Sequence, residues 1–111
     1  MPKLGIYYFN DDNEKRLDSK IIKKWHELEQ FGNYMVLCSK YNSSFLSGMI
    51  DATELNSKLI VADGGEVICM EFGGERKYKI ISENKNYEQA ITWIVEEMKE
   101  RGITLQPEII H

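Results

Sequence analysis

The central third of the chain most constrains what it can fold into. Two short apolar runs, Tyr34–Cys38 and Lys58–Ala62, are each bounded by turn-forming residues, which is typical of buried strands. Between them, apolar residues recur at three- and four-residue spacing after a polar loop, which predicts a helix capped by Ser43 or Ser44. The glycine pair after Asp63 predicts a tight turn into a further strand. This stretch therefore predicts a strand-helix-strand unit followed by a hairpin-like return.

Elements of the same kinds are predicted on both sides of it. Apolar runs indicate strands, apolar stripes at helical spacing indicate helices, and glycines mark their ends. In chain order the flanking predictions are strand Lys3–Phe9, a helix from Asp18 or Ser19 to Phe31, strand Glu66–Phe72, a turn at Gly73-Gly74, strand Arg76–Ser82, helix Tyr87–Arg101 capped by Asn86, and strand Ile103–Leu105 closed by Pro107.

The predicted order is β-α-β-α-β-β-β-α-β. Two right-handed β-α-β crossovers give a small sheet with parallel core strands, and the remaining strands form an antiparallel extension that carries the third helix. The fold class is therefore α/β with three layers. A chain of 111 residues is long enough for one domain with a substantial core.

Composition narrows the classes of partner and compartment. The net charge of −4 and a pI near 5.2 disfavour nucleic acid, and the basic group Lys20, Lys23 and Lys24 is too small to change that. No apolar run approaches the ~20 residues of a membrane span, and the first residues lack the apolar core of a signal peptide. Cys38 and Cys69 lie in strand-like runs, which predicts reduced core thiols in a cytoplasmic protein.

Polar loops follow the first three predicted strands. The carboxyl ends of parallel strands, next to helix N-termini, are where α/β proteins bind anions. The loops are Asn10-Asp11-Asp12, Ser39-Lys40-Tyr41 and Asp63-Gly64-Gly65.

This pattern resembles the first half of the haloacid dehalogenase-like (HAD) phosphatases over nearly the whole chain, and is most similar to the Cof-type and sugar-phosphate branch. In that family an Asp-x-Asp motif follows the first strand, a Thr/Ser-Gly-Arg motif the second, and an Asn-Gly-Ala or Gly-Gly turn the third. The three loops above occupy those places, and the segment from Glu75 to Leu105 would match the beginning of the cap. The resemblance implies a single HAD-like domain over residues 1–111.

The resemblance also implies residue roles. Asp11 and Asp12 are the catalytic candidates, Asp12 is the candidate ligand of Mg²⁺, and Ser39 and Lys40 are the candidate phosphate ligands. The family uses two carboxylates two residues apart, one as nucleophile and one as acid/base. Here Asn10 opens the motif, so positions 10 and 12 hold one carboxylate, as do positions 11 and 13. The family's lysine and acidic metal pair lie on a second half of the core that this sequence does not reach.

Three functions follow from these residues. The first is a non-catalytic HAD-like protein that keeps a vestigial phosphate site or acts through a protein partner, without a cofactor. The second is a Mg²⁺-dependent phosphohydrolase completed by self-association, since an exposed sheet edge favours a homodimer. The third is an unrelated interaction or inhibitor domain, for which Trp93, off the main stripe of its helix, is the candidate anchor.

Overall fold

The computed structural model describes residues 1–10, 16–55, 57–81, 83 and 86–110. These residues form a six-stranded sheet with three α-helices. The elements are β1 (Lys3–Tyr8), α1 (Ser19–Gln30), β2 (Tyr34–Cys38), α2 (Ser43–Asp51), β3 (Lys58–Ala62), β4 (Val67–Phe72), β5 (Glu75–Ile80), α3 (Tyr87–Glu100) and β6 (Gln106–Ile109), with a 3₁₀ turn at Asp63–Gly65.

The sheet has the strand order β5-β4-β3-β2-β1-β6. Strands β3, β2, β1 and β6 are parallel, whereas β4 is antiparallel to both β3 and β5. Helices α1 and α2 connect strands that step in one direction along the sheet, and α3 returns across its width from β5 to β6. Right-handed crossovers in opposite directions place helices on opposite faces. The predicted α/β fold with three layers, parallel core strands and an antiparallel extension is confirmed. The last strand, predicted in the extension, instead pairs parallel with β1 at the opposite edge of the sheet.

Each face of the sheet has its own apolar core. The core under α3 contains Ala90, Ile91, Ile94 and Met98 of that helix, packed on alternate residues of β1 to β4. The core under α1 and α2 contains Trp25, Leu46 and Ile50 of those helices, packed on the other set of strand residues. Because the central strands are covered on both faces, their sequences are continuous apolar runs.

The helix caps are asparagine and aspartate side chains. Asp18 caps α1 by accepting a hydrogen bond from Lys20 N (2.7 Å), and Asn86 caps α3 as predicted, by accepting one from Gln89 N (2.7 Å). The prediction that Ser43 or Ser44 caps α2 is wrong. Both are helical, and Asn42, in extended conformation, accepts a hydrogen bond from Phe45 N (2.8 Å).

The last strand also differs from its prediction. Residues 103–105 are not a strand, because Ile103 N bonds back to the end of α3 and Leu105 packs into the core. Strand β6 contains Pro107, which was expected to close the strand. The N–H groups of Gln106 and Ile110 point toward β1, so by alternation the proline nitrogen faces the open edge, where no donor is needed.

Within the described residues, no helix is long and apolar enough to cross a membrane.

Candidate functional site

The loops after β1, β2 and β3 lie side by side at the carboxyl edge of the sheet, because these strands are adjacent and parallel. Phe9 N donates to the carbonyl of Cys38 (2.8 Å), and Ser39 N donates to the carbonyl of Val61 (2.9 Å). The sheet pairing thus continues to the first residue of each loop.

Asn10 connects the first loop to the second. Its Oδ1 accepts a hydrogen bond from Lys40 N (2.9 Å), and both residues are exposed. The Lys40 ammonium lies 5.7 Å from the centre of the Tyr41 ring, within the range of a cation–π contact. The amide that stands where the resemblance places a carboxylate therefore holds the β2 loop through its backbone.

Ser39 is buried at the centre of the three loops, with no exposed surface. Its Oγ accepts a hydrogen bond from Tyr41 N (3.1 Å), and its carbonyl accepts one from Gly64 N (3.0 Å). Asp63 N in turn donates to the carbonyl of Tyr41 (2.9 Å). Ser39 is thus a loop residue bonded to the backbone, and its role as a phosphate ligand stays a prediction.

The turn after β3 connects this edge to α3. Asp63, Gly64 and Gly65 all have positive φ, at 51°, 70° and 106°. A Cβ on Gly65 would lie 2.6 Å from the carbonyl carbon of Asn86, the N-cap of α3. Only glycine allows this approach of two backbones, which confirms that the glycine pair is required for the turn.

The resolved pKa shifts near this edge do not activate a nucleophile. Burial raises the pKa of the Cys38 thiol to about 12, so that group is a neutral core side chain. Burial also raises the pKa of Tyr8, helped by the nearby Cys38 and Glu88. The Tyr8 ring packs edge-on against Tyr87 at the start of α3, with 5.2 Å between ring centres.

The catalytic and metal candidates Asp11 and Asp12 lie outside the described residues, so their roles stay predictions. Among the described residues no group of three histidine, cysteine or acidic side chains is arranged to hold a metal ion.

Trp93 lies halfway along α3 and is not part of this edge. It is half-buried at the border of the core, and Lys77 Nζ lies 5.6 Å from its ring centre. Lys77 also bonds to Glu97 (2.8 Å), which in turn bonds to Arg101 (3.2 Å). Glu97 thus joins α3 to β5, a contact that needs the tertiary fold and has no local sequence signal.

No protein-family model matches the sequence, and no curated protein matches it. Solved structures do match the fold. A hypothetical protein of Geobacillus kaustophilus HTA426 aligns over 92% of this chain and 38% of its own, with 15% identity and a TM-score of 0.51. Trehalose-6-phosphate phosphatase of Aspergillus fumigatus aligns over 90% of this chain and 40% of its own, with 11% identity and a TM-score of 0.53.

These likenesses concern the fold alone. This chain spans about two fifths of the length of either structure. The Aspergillus enzyme has a HAD-like fold, and it aligns with 90% of this chain. The fold of this chain is therefore HAD-like in the broad sense.

Proposed function

We propose that this chain is a non-catalytic module of HAD-like fold that acts through a protein partner, and that its carboxyl edge is the remnant of a phosphate site. Assignment to the Cof-type or sugar-phosphate branch stays a prediction. The phosphatase activity in the name of the Aspergillus structure belongs to a protein of which this chain matches 40%.

One observation carries the proposal: the polar groups of the edge are bonded to one another. Lys40 N is bonded to Asn10, Tyr41 N to the Ser39 hydroxyl, and Gly64 N to the Ser39 carbonyl. A transferring phosphoryl group needs preorganised donors aimed at its oxygens, together with positive charge. A backbone N–H group that already donates to an acceptor of the protein is not available to a ligand unless the loops rearrange.

The residue after β1 supports the same conclusion. In the register that begins at Asn10, an amide stands where the family's nucleophile is a carboxylate, and an amide does not attack phosphorus in this chemistry. Its Oδ1 is moreover held by Lys40 N. Asn10 is therefore a structural residue that fixes the loop.

The test is phosphate release from p-nitrophenyl phosphate and from trehalose 6-phosphate, with and without Mg²⁺. Four proteins are compared: the natural chain, Asp12→Ala, Asn10→Ala, and Asn10→Asp, which keeps the Oδ1 acceptor and adds the missing carboxylate. The natural chain is expected to release no more phosphate than Asp12→Ala. Mg²⁺-dependent release that disappears in Asp12→Ala would establish the phosphohydrolase instead.

Titration with inorganic phosphate, followed by amide NMR shifts, tests the remnant site separately. Weak binding with shifts at Ser39, Lys40 and Gly64, lost in Lys40→Ala, is expected if the edge is a remnant. Absence of shifts at these amides would remove the phosphate part of the proposal and leave the partner part standing.

A further inference from the structure

Strand β5 leaves one edge of the sheet open. In the described part of the chain it pairs with β4 alone, and Ile81 N donates to the carbonyl of Glu66 (2.7 Å). Backbone groups alternate in direction along an antiparallel strand, so the N–H and C=O groups of Arg76, Tyr78 and Ile80 point away from β4. Such a row is a template for an added strand.

The two faces beside this edge differ in chemistry. Lys77 bonds to Glu97 of α3 (2.8 Å), which places the odd-numbered residues of β5 on the α3 face. Tyr78 and Ile80 therefore lie on the opposite face, the one that carries α1 and α2 over the central strands. They are 56% and 68% exposed, among the most exposed large apolar side chains of the described residues. An added strand would find an apolar surface on this side.

On the α3 face, a groove of about 410 Å³ runs between the end of β5 and the helix. Among its lining residues are Lys79, Ile81, Glu83, Thr92, Trp93 and Glu96. The half-buried Trp93 ring is held against Lys77 and forms part of the wall. The groove is continuous with the open edge, so a strand added there would place its side chains at the mouth of the groove.

The charge of β5 is opposite to that of the whole chain. Three of its six residues are cationic and one is acidic, although the net charge of the chain is −4. Arg76 is bonded to Glu71 (3.2 Å) and Lys77 to Glu97. No acidic group that the structure describes lies within ion-pair distance of Lys79, which is exposed. Lys79 therefore favours an acidic neighbour.

A second copy of the chain is a poor occupant of this edge. If two copies paired antiparallel through β5, residues whose backbone groups face outward would lie opposite one another. The two-fold axis relating the copies would then pass through residue 77, 78 or 79. The registers about residues 78 and 79 place Lys77 opposite Lys79, or Lys79 opposite Lys79. The register about residue 77 places Lys77 opposite Lys77, and it sets Glu75, which Arg101 already binds, opposite Lys79. Like charges directly opposite each other destabilise a strand pair.

We infer that the open edge of β5 binds an extended acidic segment of a partner protein, in which glutamate or aspartate residues alternate with apolar ones. An acidic side chain faces Lys79, which has no acidic partner among the described residues, the apolar ones lie against Tyr78 and Ile80, and main-chain hydrogen bonds to β5 supply the register. This inference rests on the proposed function, because it names the surface through which the module acts.

The experiment uses the whole chain and two synthetic ten-residue peptides, one of alternating glutamate and valine and one of alternating lysine and valine. Binding is measured by titration calorimetry and amide NMR shifts at low and high salt. Three variants are compared with the natural chain. Lys79→Glu reverses the exposed charge, Ile80→Pro removes an outward N–H, and Lys24→Glu, on the exposed side of α1, is the matched control.

The acidic peptide is expected to bind, to slow hydrogen exchange at the amides of Arg76, Tyr78 and Ile80, and to weaken as salt rises. Lys79→Glu and Ile80→Pro are each expected to weaken binding about tenfold or more, which is ~1.4 kcal/mol, whereas Lys24→Glu should leave it unchanged. Circular dichroism of each variant separates loss of binding from loss of folding.

Several results would overturn the inference: equal binding of both peptides, shifts that fall elsewhere, no binding at millimolar peptide, or a concentration-dependent dimer with β5 amides protected. None of these depends on phosphate release. If the chain binds the peptide and also hydrolyses the aryl phosphate, the proposed function fails and the strand site stands.

Discussion

Alanine in place of Gly65 is expected to destabilise the fold by about 2–5 kcal/mol, through two costs that the structure separates. The first is steric. The new Cβ would lie 2.6 Å from the carbonyl carbon of Asn86 and 2.7 Å from its oxygen, where carbon contacts are normally ~3.5–4.0 Å. Both atoms belong to the backbone at the α3 N-cap, so relief requires moving the helix or the turn, at about 1–3 kcal/mol. The second cost is the φ of 106°, which adds about 1–2 kcal/mol for a residue with a Cβ.

Gly64→Ala is the matched control. Gly64 has a φ of 70° in the same turn, but a Cβ there meets nothing within 4 Å, so only the backbone cost of ~1–2 kcal/mol applies. Urea unfolding of both variants gives the difference directly, and the melting temperature should fall by about 4 °C for each kcal/mol. If Gly65→Ala and Gly64→Ala lower the free energy of unfolding by the same amount within about 0.5 kcal/mol, the close approach of the turn to α3 adds no steric cost and the steric explanation is wrong.

Three further predictions test other contacts. The hydrogen bond from Lys77, with help from Arg101, lowers the pKa of Glu97. The ionised Glu97 therefore stabilises the fold by about 0.5–1 kcal/mol above the ordinary glutamate pKa of ~4.3, and this stabilisation is lost as pH falls through the lowered pKa. Unfolding of Glu97→Gln should therefore depend less steeply on pH between about 5 and 3, and equal slopes would contradict this. Because burial raises the pKa of Cys38 to about 12, its thiol should not react with a disulfide reagent at pH 8 until the protein is unfolded. Asn42→Ala should cost ~1 kcal/mol in urea unfolding by removing the α2 cap, and Asn42→Asp should restore most of it.

Strand positions could be predicted from the sequence where the information is local. The bounds of β2 and β3 agree with the predicted Tyr34–Cys38 and Lys58–Ala62. Each is an apolar run cut off on both sides by polar or glycine residues, and burial on both faces requires that pattern. The Gly73-Gly74 turn between β4 and β5 was also predictable, because a glycine pair between two strand-like runs is typical of a hairpin. Both glycines have positive φ.

One error is local and one depends on the topology. Ser43 or Ser44 was expected to cap α2, but both are helical, and Asn42, one residue earlier and in extended conformation, is the cap. Pro107 was taken as the end of a strand because proline interrupts a sheet. It lies inside β6 because β6 is at the edge, and edge position is a property of the whole topology.

At the candidate site, the sequence could predict which loops meet, because parallel neighbouring strands bring their carboxyl ends together. It could not predict which hydrogen bonds the polar groups of the loops make with one another. The bond from Lys40 N to the Asn10 side chain joins residues 30 positions apart, and the burial of Ser39 depends on bonds to two other loops. A phosphate site and a closed polar network use the same residue types, so composition of the loops alone does not separate them.

The two edge strands of the sheet, β5 and β6, differ in how they oppose self-association. An exposed edge on a HAD-like sheet favours a homodimer if nothing protects it. At β6, Pro107 turns its ring nitrogen outward, so a strand added there loses a main-chain bond. At β5, the lysines oppose pairing between like strands, but the outward N–H and C=O groups of Tyr78 and Ile80 remain, beside exposed apolar side chains. Lysine repels a copy of itself and attracts a carboxylate. Lys79 has no acidic partner among the described residues and opposes two of the three self-pairing registers, so it is also the residue that would select an acidic partner strand.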